Sequence, residues 1–283
     1  MIYQIQKPTR DVVFDYDQTY AKRRSIHAKK YLSAARNQVI DAYAAYDSIA
    51  GHPKDLTPLP LEEDTRKALR GNYENTYQDG RLAPLRAELL AGAAYELCPM
   101  CGRNPVAELD HYLPKDKYPE FSILAFNLIP VCGRCNRAKS NLITGNRGYL
   151  FHAYYDKVPH SPTLLVANLN VTPISTLVTF EVNKKLPQQL YRDACFQFNT
   201  LKLADLYVGA SIPELVERID LYRQYHESGV GATGVAYDAS RHAKHLRKEF
   251  GAHYWKAALY DAVASSYDYC NGGFRLLANR RDR

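Results

Sequence analysis

The sequence predicts an α+β chain, mostly helical, with a small metal-bound unit at its centre. Three observations carry this reading. Two Cys-x-x-Cys pairs, Cys98–Cys101 and Cys132–Cys135, bracket a stretch of short apolar runs broken by Pro and Gly. Amphipathic stretches rich in Ala and Leu flank that stretch on both sides. Residues 163–170 and 176–183 alternate β-branched and polar side chains, the pattern of a strand pair.

In chain order, residues 17–48 read as a helix, with Ile26, Tyr31, Leu32, Val39, Ile40 and Tyr43 as its apolar positions. Gly51-His52-Pro53 breaks it, and 52–60 is a loop. Leu61–Leu69 and Leu82–Leu97 read as two further helices joined by a turn bearing Gly, Asn and Asp. Helix returns over 187–207, 212–226 and 240–269, and the tail RLLANRRDR reads as frayed. Three regions follow: a helical 1–97, the metal-bound 98–150, and 151–283, where the strand pair precedes more helix.

The 283 residues are enough to bury a sizeable core, and 46% hydrophobic with 24% charged is ordinary for a soluble globular protein. Mean hydropathy is −0.42. No apolar run approaches the roughly 18 residues of a membrane span, and the N-terminus lacks the basic-then-apolar plan of a secretory signal. The expectation is a cytoplasmic protein with no membrane partner. A net charge of +7 suits an anionic partner only modestly. Its distribution says more: residues 22–36 hold six Lys or Arg and no acid. Lys115, Lys117, Arg134, Arg137, Lys139 and Arg147 gather around the second cysteine pair. Either cluster can face a phosphate backbone or simply solvent.

Four of the six cysteines form the two pairs, and 30 residues separate them. In a cytoplasmic chain this spacing reads as zinc, not as disulfides. Each pair is a short knuckle that brings two thiolates to one ion at about 2.3 Å. Four sulfur ligands, Cys98, Cys101, Cys132 and Cys135, close a tetrahedron and leave no position for water, so the zinc is structural. Cys195 and Cys270 stand apart and read as free thiols.

Between and beside the knuckles runs ELDHYLPKDKYPEFSILAFNLIPVCGRCNRAKSN. It resembles the HNH nuclease superfamily. The matching elements are Asp110-His111, Pro114, Asn127-Leu128, and Cys132–Cys135 followed by Asn136 at the start of a helix. The resemblance covers about 45 residues and implies a ββα-metal finger in its treble-clef form with zinc, and an endonuclease acting on DNA. It also implies that Asn127, the middle letter of the family name, pins the loop between the two strands and helps to orient His111. Proteins of this general look occur in anti-phage and restriction systems and in mobile elements, and the resemblance does not choose among them.

The chemistry of the residues points the same way. Cleaving a phosphodiester needs an activated water, a neutralised phosphate and a stabilised leaving oxygen. Histidine suits water activation near neutral pH, so His111 is the expected base. A hard divalent cation takes oxygen ligands, and Asp110 with Asn136 supplies a carboxylate and an amide oxygen for Mg²⁺ or Mn²⁺. Cys135 and Asn136 are neighbours and point about 100° apart on a helix, so one helix can serve both metals. Ser140, four residues past Asn136, falls on the same face where some family members carry a second histidine; the expected site is looser and wetter. Lys115, Arg137 and Lys139 are the expected phosphate contacts, with Lys117 a further candidate. The helix N-terminus near Arg134 and Arg137 adds a positive dipole end. His152 and Asp156 lie in an aromatic stretch that packs the finger or approaches the site. The 23 tyrosines are mostly core contacts, with base stacking as the other use.

The competing reading is a zinc-stabilised module that binds nucleic acid or protein, inactive alone or gated by a partner. The helical flanks carry no recognisable DNA-reading motif, and they leave room for a protein partner or a second copy of the chain.

Overall fold

A computed structural model describes residues 4–21, 25–142, 144–145 and 148–278. The chain is α+β and mostly helical, with its strands in two-stranded antiparallel sheets. It forms two compact units, 4–157 and 158–278.

The first unit begins with α1 (Val12–Ala21) and α2 (Ile26–Ser48). These divide the single helix expected over 17–48. Ser25 starts α2 as its N-cap, its hydroxyl accepting from the Ala28 N–H, and such a cap satisfies a donor that a new helix would otherwise leave open. Residues 22–24 of the basic cluster lie outside the described residues. Leu32, Ala35, Val39, Tyr43 and Tyr46, spaced three and four apart, are the buried face of α2. α3 (Glu63–Gly71) and α4 (Ala83–Ala91) follow. The helix expected to reach Leu97 stops at Ala91 because Gly92 and the left-handed Tyr95 (φ 54°) turn the chain toward the first knuckle.

Next come β1 (Glu108–His111), β2 (Leu128–Val131) and α5 (Gly133–Lys139). β1 and β2 are antiparallel, with Asp110 opposite Ile129 and His111 opposite Leu128. The short β3 (Thr144–Gly145) and β4 (Gly148–Tyr149) follow. Segment 98–150 shares one compact unit with the helices before it. Tyrosines from those helices and from the segment after β4 hold its backbone. Tyr73 donates to the Leu109 carbonyl at 2.6 Å and Tyr154 to that of Leu128 at 2.8 Å, while Tyr112 within the segment reaches the Leu150 carbonyl at 2.9 Å. A buried phenol needs a partner, and strand and loop carbonyls provide it.

The second unit is built on β5 (Leu165–Val171) and β6 (Thr176–Val182), paired Leu165 to Val182 and Val171 to Thr176. Thr176, Val178, Phe180 and Val182 alternate inward on β6. Around the hairpin lie α6 (Gln188–Thr200), α7 (Leu203–Val216), α8 (Ile219–Glu227), α9 (Gly231–Phe250), α10 (Trp255–Ser265) and α11 (Arg275–Ala278). Lys202 (φ 49°) divides the helix expected over 187–207, and Gly251 (φ 89°) divides the one expected over 240–269. Residues 275–278 of the tail read as frayed are helical; 279–283 lie outside the described residues. Cys270 is buried and Cys195 partly so, both free. Among the described residues no helix is long and apolar enough to cross a membrane.

Candidate metal centre and active site

The first knuckle is closed by its own backbone. Gly102 and Cys101 donate to the Cys98 carbonyl at 2.7 and 3.3 Å, and Cys98 donates to the Asn104 carbonyl at 2.9 Å. Gly102 (φ 62°) occupies the left-handed position the turn requires. The second knuckle leaves β2 and enters α5, where the Cys132 sulfur caps the helix by accepting from the Cys135 N–H at 3.4 Å. All four sulfurs lie within 4.8 Å of one another, and all four residues are buried. Sulfurs around a tetrahedral zinc stand about 3.8 Å apart for bonds of about 2.3 Å. Cys101 and Cys132 are at 4.0 Å. Burial pushes the Cys98 thiol well above its ordinary pKa, so several thiolates here need a cation among them. The donor set fits zinc: soft, tetrahedral and closed.

Between the knuckles the loop from β1 to β2 is gathered on Asn127, which is fully buried. Its Oδ1 accepts from the Leu113 N–H at 2.8 Å and the Tyr46 hydroxyl at 3.1 Å. Its Nδ2 donates to the Leu113 and Phe121 carbonyls at 3.0 and 3.2 Å. The amide thus uses its two acceptor and two donor positions. Tyr46 in turn meets His152 Nε2 at 3.0 Å, and His152 Nδ1 accepts from the Tyr154 N–H at 3.3 Å. That acceptor role places the His152 proton on Nε2. The whole network is sealed: burial lowers the His152 pKa to about 3.

One residue past Phe121, the Ser122 carbonyl lies 2.8 Å from His111 Nε2. A carbonyl only accepts, so Nε2 carries the proton and the lone pair sits on Nδ1. Ser122 is itself held by its hydroxyl, which donates to the Leu69 carbonyl of α3 at 2.6 Å. The Tyr73 ring lies 4.6 Å from the imidazole, and the Lys115 ammonium lies 4.6 Å over the other ring, that of Tyr73. Burial lowers the His111 pKa to about 3, so the ring is neutral at ordinary pH.

Asp110 precedes His111 on β1 and is buried; burial raises its pKa, opposed by Lys139. Lys139 is also buried, with its ammonium 3.1 Å from Asp110 Oδ2 and 2.6 Å from the His111 carbonyl. Lys139, expected from sequence as a phosphate contact, instead points into the unit and neutralises Asp110. The Asp110–Asn136 pair expected to share one ion is also engaged elsewhere, because Asn136 Nδ2 donates to Glu108 Oε2 at 2.5 Å. Asp110 Oδ2 faces the Lys139 ammonium, and the bond from Asn136 to Glu108 uses the amide nitrogen, not the amide oxygen.

The remaining expected residues divide. Arg137 and Lys117 are exposed and Lys115 half-buried. Ser140 is not on the face of Asn136: it lies past the end of α5 at φ 49°. Glu108, not a phosphate, stands over the start of α5: its Oε1 is 2.8 Å from where a Cβ on Gly133 would be. Asp156 accepts from the His152 N–H at 2.7 Å, so both residues serve the network behind the loop. Arg147 lies outside the described residues. Sequence reasoning missed Glu108, Tyr46, Tyr73 and Ser122. Glu108 was legible, being two residues before Asp110 on a strand and so on the same face; the others come from distant segments and carry no local signal.

Purified protein is expected to carry about one zinc per chain by elemental analysis. Cys98→Ser should lose it and unfold or aggregate the first unit; a folded, metal-free Cys98→Ser protein would contradict the assignment. The His152 shift sets a pH dependence. Its folded pKa, about 3, lies below the ordinary 6.5, so the unfolded chain takes up the extra proton between those values. Stability from this group is full above pH 6.5 and is lost as pH falls toward 3. In urea titrations between pH 6 and 4, His152→Gln should show a shallower fall of the midpoint than the parent, and an equal fall would remove His152 as a contributor.

The chain is 26% identical over 245 residues to Protein ea31 of Escherichia phage lambda, an alignment covering 78% of this chain and 79% of that protein. No protein-family profile matches the chain, and no solved structure does.

Proposed function

We propose that this protein is a metal-dependent endonuclease of the HNH type that hydrolyses phosphodiester bonds in DNA, with β1, β2 and α5 as its ββα-metal finger. The observation that carries the reading is the state of His111: neutral, with Nε2–H held by the Ser122 carbonyl and Nδ1 left as the base. A merely structural zinc module has no need of that arrangement. In this reading His111 Nδ1 takes a proton from a water, whose oxygen attacks phosphorus as the bond to the leaving oxygen breaks. An anionic phosphodiester beside the ring raises its pKa from the low value set by burial toward the working range. Asp110 and Asn136 would hold a Mg²⁺ or Mn²⁺, which when bound supplies charge stabilisation for the phosphate oxygens. Asn127 and Ser122 orient the base, and Lys115 and Arg137 are the phosphate contacts.

A second reading has one observation in its favour. The Lys139 ammonium already neutralises Asp110, as in a module that is silent until a partner or substrate rearranges it. A defence or restriction role belongs with either reading.

Incubation of plasmid DNA with the zinc-loaded protein in Mg²⁺ or Mn²⁺ should give nicking or cutting. His111→Ala should lose at least about a hundredfold of the rate while keeping zinc and substrate affinity. Undiminished cutting by that variant removes His111 from the mechanism, and no cutting by the folded parent favours the gated reading. Lys139→Met strands a buried carboxylate and should cost about 3–5 kcal/mol of unfolding free energy in denaturant titrations; a loss under about 1 kcal/mol, the range of exposed ion pairs, would show the contact to be unimportant.

A further inference from the structure

The second unit carries a charged surface that the proposed chemistry does not use. Along α9, Tyr237, Arg241, Lys244, His245 and Lys248 are all exposed. At 100° per residue they fall within one stripe about 100° wide. No carboxylate pairs with Arg241, Lys244 or Lys248 among the described residues. Several other cations of this unit, Lys184, Arg218, Arg223, Arg247 and Lys256, each sit against an Asp or Glu. The opposite face of α9, with Val235, Ala239, Ala243 and Leu246, is buried. The helix is therefore fixed, and its outer face is left with one sign of charge.

We infer that this stripe binds the phosphate backbone of a nucleic-acid strand, with Tyr237 as a stacking platform for an unpaired base. From Arg241 to Lys248 the helix rises about 10 Å, which spans about three phosphates at roughly 3.4 Å of axis each. Tyr237 is 65% exposed, and the Arg241 guanidinium lies 5.9 Å over its ring. An exposed ring continuous with a row of cations is the arrangement that holds single strands, where backbone and base faces are both within reach. An anionic membrane fits less well. Helices that lie on lipid insert an apolar face, and the apolar face of α9 is already committed to the core of its unit.

This inference deepens the nuclease reading by naming where a strand is held, and it is tested by binding alone. The full, zinc-loaded chain would be titrated into a fluorescein-labelled 20-nucleotide DNA strand without added Mg²⁺, reading anisotropy from low to moderate salt. Reversal of the stripe, Arg241→Glu with Lys244→Glu and Lys248→Glu, should weaken binding at least about thirtyfold. It should also flatten the slope of log K against log salt by about 2, since each lost contact contributes about 0.7 on a single strand. The same charge change elsewhere in the unit, Lys184→Glu with Lys185→Glu and Arg192→Glu, should leave that slope nearly as it was. Tyr237→Ala should weaken binding about tenfold with the slope unchanged. Should the reversed chain fail to fold by circular dichroism, the glutamine versions at the same three positions serve instead. Equal affinity and slope for the stripe and control variants would overturn the inference, as would binding to phosphatidylserine vesicles in place of the strand. A silent Tyr237→Ala would overturn the stacking role. Absence of cutting by the folded, zinc-loaded parent in Mg²⁺ or Mn²⁺ would count against the nuclease reading and leave this result standing.

Discussion

Between the two cysteine knuckles lie 30 residues that contain β1, β2 and the whole loop joining them. A segment this short, with two four-residue strands, cannot bury enough apolar surface to hold itself. The four buried sulfurs supply the constraint. They bind the knuckle after Gly92 to the start of α5, and so fix the strand that carries Asp110 and His111 against the helix that carries Asn136 and Lys139. Zinc bound there is folding free energy for the segment. Each distance in the proposed active site depends on this closure.

Within that frame the site is organised by satisfied polar groups, not by apolar packing alone. Asn127 uses its full hydrogen-bonding capacity to gather Leu113 and Phe121, and this places the Ser122 carbonyl on His111. The orientation of one imidazole is thereby tied to α2 through Tyr46 and to α3 through the Leu69 carbonyl. A buried network of this kind is costly when incomplete and rigid when complete, because the low dielectric that strengthens each bond also penalises each missing one. That explains why the helices of 4–97 and the finger form one unit: the second layer around the histidine is helical.

Charge follows the same logic. Asp110 is buried beside Lys139, and the pair takes the place of water around a carboxylate that would otherwise be desolvated without compensation. The proposed catalytic ion therefore meets a carboxylate already neutralised, and the free energy of loading it includes moving or tolerating an ammonium. In the second unit the arrangement is reversed. On α9, Arg247 is matched with Asp261, while Arg241, Lys244 and Lys248 are left facing solvent.

The sequence by itself determined the grouping of the four cysteines, the later strand pair, the placement of Asp110, His111, Asn127 and Asn136 around one hairpin and helix, and the mostly helical class. These were legible because each is a local pattern: a spacing of three, an alternation of two, or a run of 3.6-residue periodicity. The cap at Ser25 and the breaks at Lys202 and Gly251 were not legible, since a cap or a single left-handed residue outweighs a continuous apolar pattern without changing its composition. Nor could the sequence assign Lys139, whose charge reads as surface until the fold buries it against Asp110. Tertiary structure alone decided that Tyr73 and Ser122 meet His111, that Tyr46 backs Asn127, and that Glu108 takes the amide of Asn136. The reason is physical: hydrogen bonds between segments 28 to 106 residues apart depend on where the backbone goes, and no local pattern records it.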